Sequence, residues 1–290
     1  MDWQSLLRDA GPPLLAALGA VGVDRLTAGG GLQPPGFAVP WRRLLASFLL
    51  ALVLWAGVFA PLGSLGETLE LDVSRLTEGQ LFLLHGLLVG FLVAWYALGF
   101  VGVAAGGSGA GFAAQFGLRA ARPGVELGLG LAAGVAAWFA VILALLALAG
   151  VVLWLGGPDA LPKKPPPIVP WIAGLPVGLR LLVCVSAGFV EEGFFRGFLQ
   201  PRAGVFIATL FFAMAHLSYD QPLMLVGITL LSLLFSALVV WRQSILAAAA
   251  AHFVFDAVQL LVVIPFALRM LEKGAGVPPI AAAAAGLLLD

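Results

Sequence analysis

Four runs of apolar residues, 44–62, 81–103, 127–155 and 245–268, constrain this chain more than anything else in it. Each reaches the length of about 20 residues that a helix needs to cross the hydrocarbon core of a bilayer. The third is long enough to tilt or protrude. Three further segments, 169–190, 203–217 and 222–240, are shorter or run into charged residues. Seven spans are therefore expected. Two pieces of about a dozen residues, 12–23 and 278–289, read as interfacial or re-entrant, and the second could add an eighth span at the C-terminus. Trp41, Trp154, Trp171 and Trp241 flank these runs, as an aromatic belt would. The expected fold is an all-α, polytopic bundle of about seven to eight membrane helices around a polar intramembrane cavity.

Composition excludes the alternatives. Hydrophobic residues fill 61% of 290 positions and charged residues only 10%, with zero net charge; a soluble domain carries about 25% charged residues. No basic surface exists for nucleic acid. The lone Cys184 supports no disulfide framework and reads as a small buried hydrophobe. The absence of Asn, with Ala, Gly, Leu and Arg dominant, fits a GC-rich bacterial genome. A multi-pass protein of the bacterial cytoplasmic membrane is expected.

Asp2, Arg8 and Asp9 argue against a removable signal peptide at the N-terminus. Arg42 and Arg43 before the first strong span, the acidic loop 64–79 after it, and Arg119 and Arg122 in the next loop place the N-terminus inside. Lys163 and Lys164 then fall outside, against the trend. Residues 156–170 read GGPDALPKKPPPIVP, a connector that no helix can cross. The glycine-rich stretch 104–117 is a second connector, with no preceding strand that would make it a phosphate loop. The organisation expected is an interfacial segment 1–40, three helices in 41–156, a proline-rich connector 157–169, a helical core 170–268, and a loop with a short apolar helix in 269–290.

Ionisable groups are costly inside a membrane and are candidate functional residues by default. Beyond the connector they form three sets: Glu191, Glu192 and Arg196; Phe212 with His216; and His252 with Asp256. Glu192 and Arg196 are four apart and share a helix face. Glu191 is rotated by about 100° from Glu192, which leaves Glu192 to pair with Arg196 and Glu191 to face a cavity. His252 and Asp256 share a face, and the Phe212 ring is placed to wall the site beside His216. Each set alone has a structural reading: an ion pair, an interfacial histidine, an inter-helix hydrogen bond. Three sets in one part of the chain favour a shared, water-activating site. His85, Glu126 and Arg180 stand apart from this company and receive no role; His85 is expected to bond a neighbouring backbone and Arg180 to snorkel.

The ordered pieces Glu191-Glu192-x-x-x-Arg196, Phe212-x-x-x-His216 and His252-x-x-x-Asp256 resemble the CPBP family of intramembrane proteases. That family includes the type II CAAX prenyl endopeptidases and the Abi bacteriocin-immunity proteins. The likeness covers about a third of the chain, residues 169–268. It implies membrane helices enclosing a polar cavity and a glutamate-centred peptidase. Glu191, with His216, would activate water; His252 and residue 256 would stabilise the oxyanion; Glu192, Arg196 and Phe212 would orient the site. The family has been described both with and without a metal. If a divalent cation such as zinc were used, Glu191, His216 and His252 would be its ligands, although there is no HExxH helix.

Position 256 is Asp where the prenyl endopeptidases usually carry Asn. An ionised carboxylate cannot donate to an oxyanion. Asp256 is then protonated, or accepts from His252 and fixes its tautomer, or ligates a metal. The resemblance makes the expected partners the bilayer and a membrane-associated or lipid-modified peptide, and the expected activity an intramembrane endopeptidase. A non-enzymatic immunity or scaffold protein is the competing reading. A transporter is disfavoured because no internal repeat is found.

Overall fold

Backbone N–H and C=O groups facing lipid find no water, so an apolar chain must satisfy them within its own helices. A computed structural model describes residues 3–64, 77–103, 111–157, 160, 168–217 and 222–272. The described residues are helical or in short connections, with no strand among them. In chain order the helices are α1 (Trp3–Gly29), α2 (Pro40–Leu54), α3 (Glu78–Leu81), α4 (Leu83–Phe100), α5 (Phe112–Gln115), α6 (Pro123–Gly156), α7 (Ile168–Gly174), α8 (Val177–Ser186), α9 (Gln200–Ala215), α10 (Pro222–Arg242), α11 (Leu246–Val258) and α12 (Ile264–Glu272). Wider π turns extend several of them: Trp55–Phe59 after α2, Ala187–Glu191 and Gly193–Leu199 between α8 and α9, and Gln259–Val263 between α11 and α12.

Six helical stretches among the described residues are long and apolar enough to cross a membrane: Pro40–Gly63, Glu78–Phe100, Pro123–Gly156, Val177–Ala215, Pro222–Arg242 and Leu246–Arg269. The fourth of these, Val177–Ala215, takes in parts of two expected segments, 169–190 and 203–217. Helix runs on past residue 190 through Glu191, Glu192 and Arg196, so these charges do not end it. The 39-residue stretch is nevertheless not one straight rod. Gly204 breaks it with φ 82° and ψ 169°, and the Phe195 and Phe212 rings lie 5.1 Å apart, centroid to centroid. Seventeen residues of straight helix would separate them by about 25 Å. The chain therefore folds back at Gly204 as a helical hairpin, which returns the end of α9 toward Glu191.

Residues 12–23, expected as a short interfacial piece, are the centre of a 27-residue helix, α1. Arg8, Asp9, Asp24 and Arg25 lower its hydropathy, but the helix itself does not stop at the apolar run. Ala16, Ala20, Val23 and Thr27 form its buried stripe, and Arg43 donates two bonds to Asp24, at 2.6 and 2.9 Å, tying α1 to α2. The possible eighth span, 278–289, and the 104–110 and 161–167 parts of the connectors lie outside the described residues. The glycine at 134 and its partner four residues earlier let α6 and α11 approach backbone to backbone. A Cβ at Gly134 would sit 2.6 Å from the Ala251 carbonyl, and one at Gly130 would collide with the Ala247 carbonyl. Small residues at such a spacing are what close helix contact in lipid requires. Trp41, Trp154 and Trp241 are outward-facing.

Candidate active site

The hairpin at Gly204 and the close packing of α11 bring the three sequence sets together. Gly188, in the first π turn, faces α11 so tightly that a Cβ there would lie 2.7 Å from the Ala249 carbonyl and 3.2 Å from the Phe253 nitrogen. One turn further on, Glu192 meets His252. Glu192 is fully buried and its Oε1 accepts from Arg196 Nη1 at 2.9 Å. The same oxygen lies 2.9 Å from His252 Nδ1. Glu192 therefore pairs with Arg196 as the spacing predicts and, in addition, with His252.

Arg196 is 1% exposed, and a charge so deep needs compensation from every side. Its Nη2 donates to Ser232 Oγ at 2.9 Å and to the Ser232 carbonyl at 3.3 Å. Ser232 Oγ donates in turn to Thr209 Oγ1 at 3.2 Å. The guanidinium carbon lies 4.3 Å from the centre of the Phe212 ring, with the Phe235 ring on another side at 5.6 Å. These contacts are cation–π geometry. Phe212 also touches both imidazoles, with centroids 4.7 Å from His216 and 6.1 Å from His252.

His216 ends α9, and its Nδ1 is 2.7 Å from the Phe212 carbonyl. A carbonyl only accepts, so Nδ1 carries a proton and Nε2 is the nitrogen that can exchange one. Glu191 is within electrostatic reach of both His216 and His252. His252 Nε2 faces Asp256 Oδ2 at 3.5 Å, longer than a good N–H···O bond. Asp256 is 24% exposed and His252 6%, so the carboxylate is the more accessible of the two.

Glu191 has a partner that was not expected. His85, from α4, places Nε2 at 3.1 Å from Glu191 Oε1, and its Nδ1 lies 2.9 Å from Ser186 Oγ. His85 thus bonds two side chains and not a neighbouring backbone. The available signal was its position inside a strong span, where any ionisable group is a candidate; the absence of company nearby in sequence hid it. Glu191 Oε2 is buried and finds no hydrogen-bond partner among the described residues. Arg180 meets the Leu260 carbonyl at 2.9 Å. Glu126 accepts two bonds from Arg242, at 2.6 and 2.9 Å, which clamps the start of α6 to the end of α10.

The donor set does not fit a metal ion. Among the described residues no three His, Cys, Asp or Glu side chains converge on one point, Glu191, His216 and His252 included. His252 Nδ1 is taken by Glu192, and one oxygen of Glu191 is taken by His85. Two buried carboxylate oxygens lack a partner among the described residues, Glu191 Oε2 and Glu192 Oε2. Glu192 is sealed at 0% side-chain exposure, whereas Glu191 keeps 14% and is the one that can be approached.

Residues 173–258 match the family model described as type II CAAX prenyl endopeptidase Rce1-like. All seven sequence-selected residues fall inside that segment, and His85 falls outside it. The uncharacterized protein YpbD of Bacillus subtilis (strain 168) is 37% identical over 79 residues, which is 27% of this chain and 42% of that protein. The match therefore spans less than half the length of this relative. No solved structure matches the chain.

Proposed function

With residues 173–258 carrying an Rce1-like segment in a multi-pass membrane protein, we propose that the chain is an intramembrane endopeptidase acting on a membrane-associated or lipid-modified peptide, and that Glu191 is its general base. The observation that carries this reading is Glu191 Oε2, which has no partner among the described residues on a side chain that retains 14% exposure, whereas the neighbouring Glu192 is 0% exposed and committed to Arg196 and His252. The His85 contact holds one oxygen of this carboxylate and leaves the other to take a proton from water.

The chemistry is a hydrolysis and balances without a cofactor. Glu191 Oε2 accepts a proton from water while the water oxygen bonds to the scissile carbonyl carbon. The carbonyl oxygen takes the negative charge. The C–N bond then breaks and the proton held by Glu191 passes to the leaving amine. With Nδ1–H held by Glu192, His252 donates to the oxyanion from Nε2 as the doubly protonated imidazolium, and its 3.5 Å separation from Asp256 leaves room for a competing acceptor. His216 Nε2 is the second proton-exchanging group near Glu191. Glu192 and Arg196 hold His252 in place. A substrate tail enters laterally between lipid-facing helices, and the natural home of the chain is the bacterial cytoplasmic membrane.

The test uses the full chain in lipid nanodiscs and an internally quenched peptide bearing a farnesylated cysteine. Glu191→Gln is expected to lower kcat by about 10²–10⁴-fold with the fold retained. Undiminished hydrolysis by that variant would remove Glu191 from the reaction. A second reading, a non-enzymatic scaffold or immunity protein, is favoured by one observation: the group facing His252 Nε2 is a carboxylate and not an amide donor. Wild-type chain that leaves this peptide intact, and also an unmodified apolar peptide, supports that reading.

A further inference from the structure

Catalysis by a buried carboxylate depends on where its lone pairs point, and the side chains that set this for Glu191 lie outside the three sequence sets. Ser186 and Glu191 are five residues apart. On an α-helix, five residues correspond to a rotation of about 140°, and one imidazole could not touch both side chains. Between them lies the π turn Ala187–Glu191, whose i→i+5 pattern stacks residue 191 over residue 186. His85 of α4 fits against that aligned pair, with Ser186 Oγ at 2.9 Å from Nδ1 and Glu191 Oε1 at 3.1 Å from Nε2. Side-chain exposures of 13% for His85 and 14% for Glu191 show a contact largely shielded from solvent.

We propose that His85, backed by Ser186, is a positioning residue for Glu191: it holds Oε1 so that Oε2 remains aimed at the hydrolytic water. The inference rests on the general-base reading of Glu191 and extends the site to a helix outside the Rce1-like segment. Proton bookkeeping shows what Ser186 adds. Its hydroxyl has a single proton and two acceptors in reach, His85 Nδ1 and the Val183 carbonyl at 3.1 Å. When it donates to Nδ1, the imidazole is the neutral tautomer with its proton on Nε2, directed at Glu191. The carboxylate is then oriented without being faced by a full positive charge, and it remains a competent base. When the hydroxyl donates to Val183, it accepts from Nδ1–H, and Nε2 needs a second proton to hold a carboxylate. Nε2–H faces the carboxylate in both cases, and the direction of the Ser186 hydroxyl decides whether the ring in front of Glu191 is neutral or charged.

The chain has three histidines, so side-chain nitrogen NMR of histidine-labelled protein in nanodiscs resolves each imidazole, with His85→Gln assigning one by its loss. Glu191→Gln and Ser186→Ala are both expected to move the His85 signals, through Nε2 and Nδ1 respectively, and Ser186→Ala to leave His216 and His252 in place. In the farnesylated-peptide assay, His85→Phe is expected to lower kcat by about 10²-fold, the scale of a misdirected catalytic group, with KM within about twofold. His85→Gln, whose amide can donate to Oε1, should recover part of the loss. His85 signals indifferent to Glu191→Gln would overturn the proposal, as would wild-type rates in a folded His85→Phe variant. Intact His85 linkage in a wild-type chain that hydrolyses nothing sinks the peptidase reading, and reduces the His85 contact to a structural hydrogen bond.

Discussion

Arg196 shows what one residue must satisfy to sit inside a membrane protein. It donates to Glu192 and to Ser232 through its two Nη atoms and is boxed by aromatic rings, while its buried Nε finds no partner among the described residues. Removing it leaves Glu192, fully buried, with His252 alone. Breaking a buried pair in this way costs about 3–5 kcal/mol. Arg196→Leu should therefore lower the unfolding free energy by about that amount in a denaturant titration of the micelle-embedded chain. Arg196→Lys should recover little of it, because a single ammonium cannot span Glu192 and Ser232 as a fork does. A loss under about 1 kcal/mol in either variant would mean that Glu192 finds another partner. The pairing of Glu192 with Arg196 was readable in the sequence, because i,i+4 spacing is a local rule. So was the His252–Asp256 approach. Ser232, Thr209 and His85 were not readable, since the contacts that give them meaning come from helices far apart in the chain.

At the scale of elements, helix irregularities place the site. Gly204 adopts φ 82° and ψ 169°, a region essentially reserved for glycine, where any other residue costs about 1–3 kcal/mol. Gly204→Ala should show that loss and should also lower hydrolysis, because the hairpin that returns His216 toward Glu191 turns at this residue. Gly188→Ala tests a different step. Its Cβ, 2.7 Å from the Ala249 carbonyl, would push the π turn off α11 and lengthen the Glu192–His252 contact. Cysteine cross-linking between neighbouring exposed positions of α8 and α11 would report the separation, and unchanged cross-linking with unchanged activity would rule this packing account out. Hydropathy identified the apolar runs but not these devices. A π turn and an α turn have the same composition, and the fall in hydropathy at Glu191, Glu192 and Arg196 resembles the end of a span. The actual break comes eight residues after Arg196, at Gly204.

The whole molecule is organised by the division between lipid-facing and inward-facing surfaces. Large apolar side chains such as Phe48, Leu143, Trp154 and Phe206 are exposed, whereas Glu192, Arg196, Ser232, Ser236 and His252 are buried. Composition makes that inversion readable; the way helices from both sides of the proline-rich connector share one site is not. α4 supplies His85, and α6 supplies the glycine face on which α11 lies, yet both precede residue 157, while the Rce1-like segment begins at residue 173. The site is therefore a property of both halves. Transmembrane helices that are inserted separately can still assemble through close backbone packing, so the connector itself need not be continuous. Coexpression of residues 1–160 with 161–290 should yield a complex that copurifies through a tag on one half and hydrolyses the farnesylated peptide, whereas 161–290 alone should not. Gly130→Leu in the first half should abolish copurification, because its side chain would occupy the space now held by the Ala247 carbonyl and Ala250. Activity of 161–290 alone would show that the Rce1-like segment folds its own site, and that α4 and α6 merely shield it from lipid.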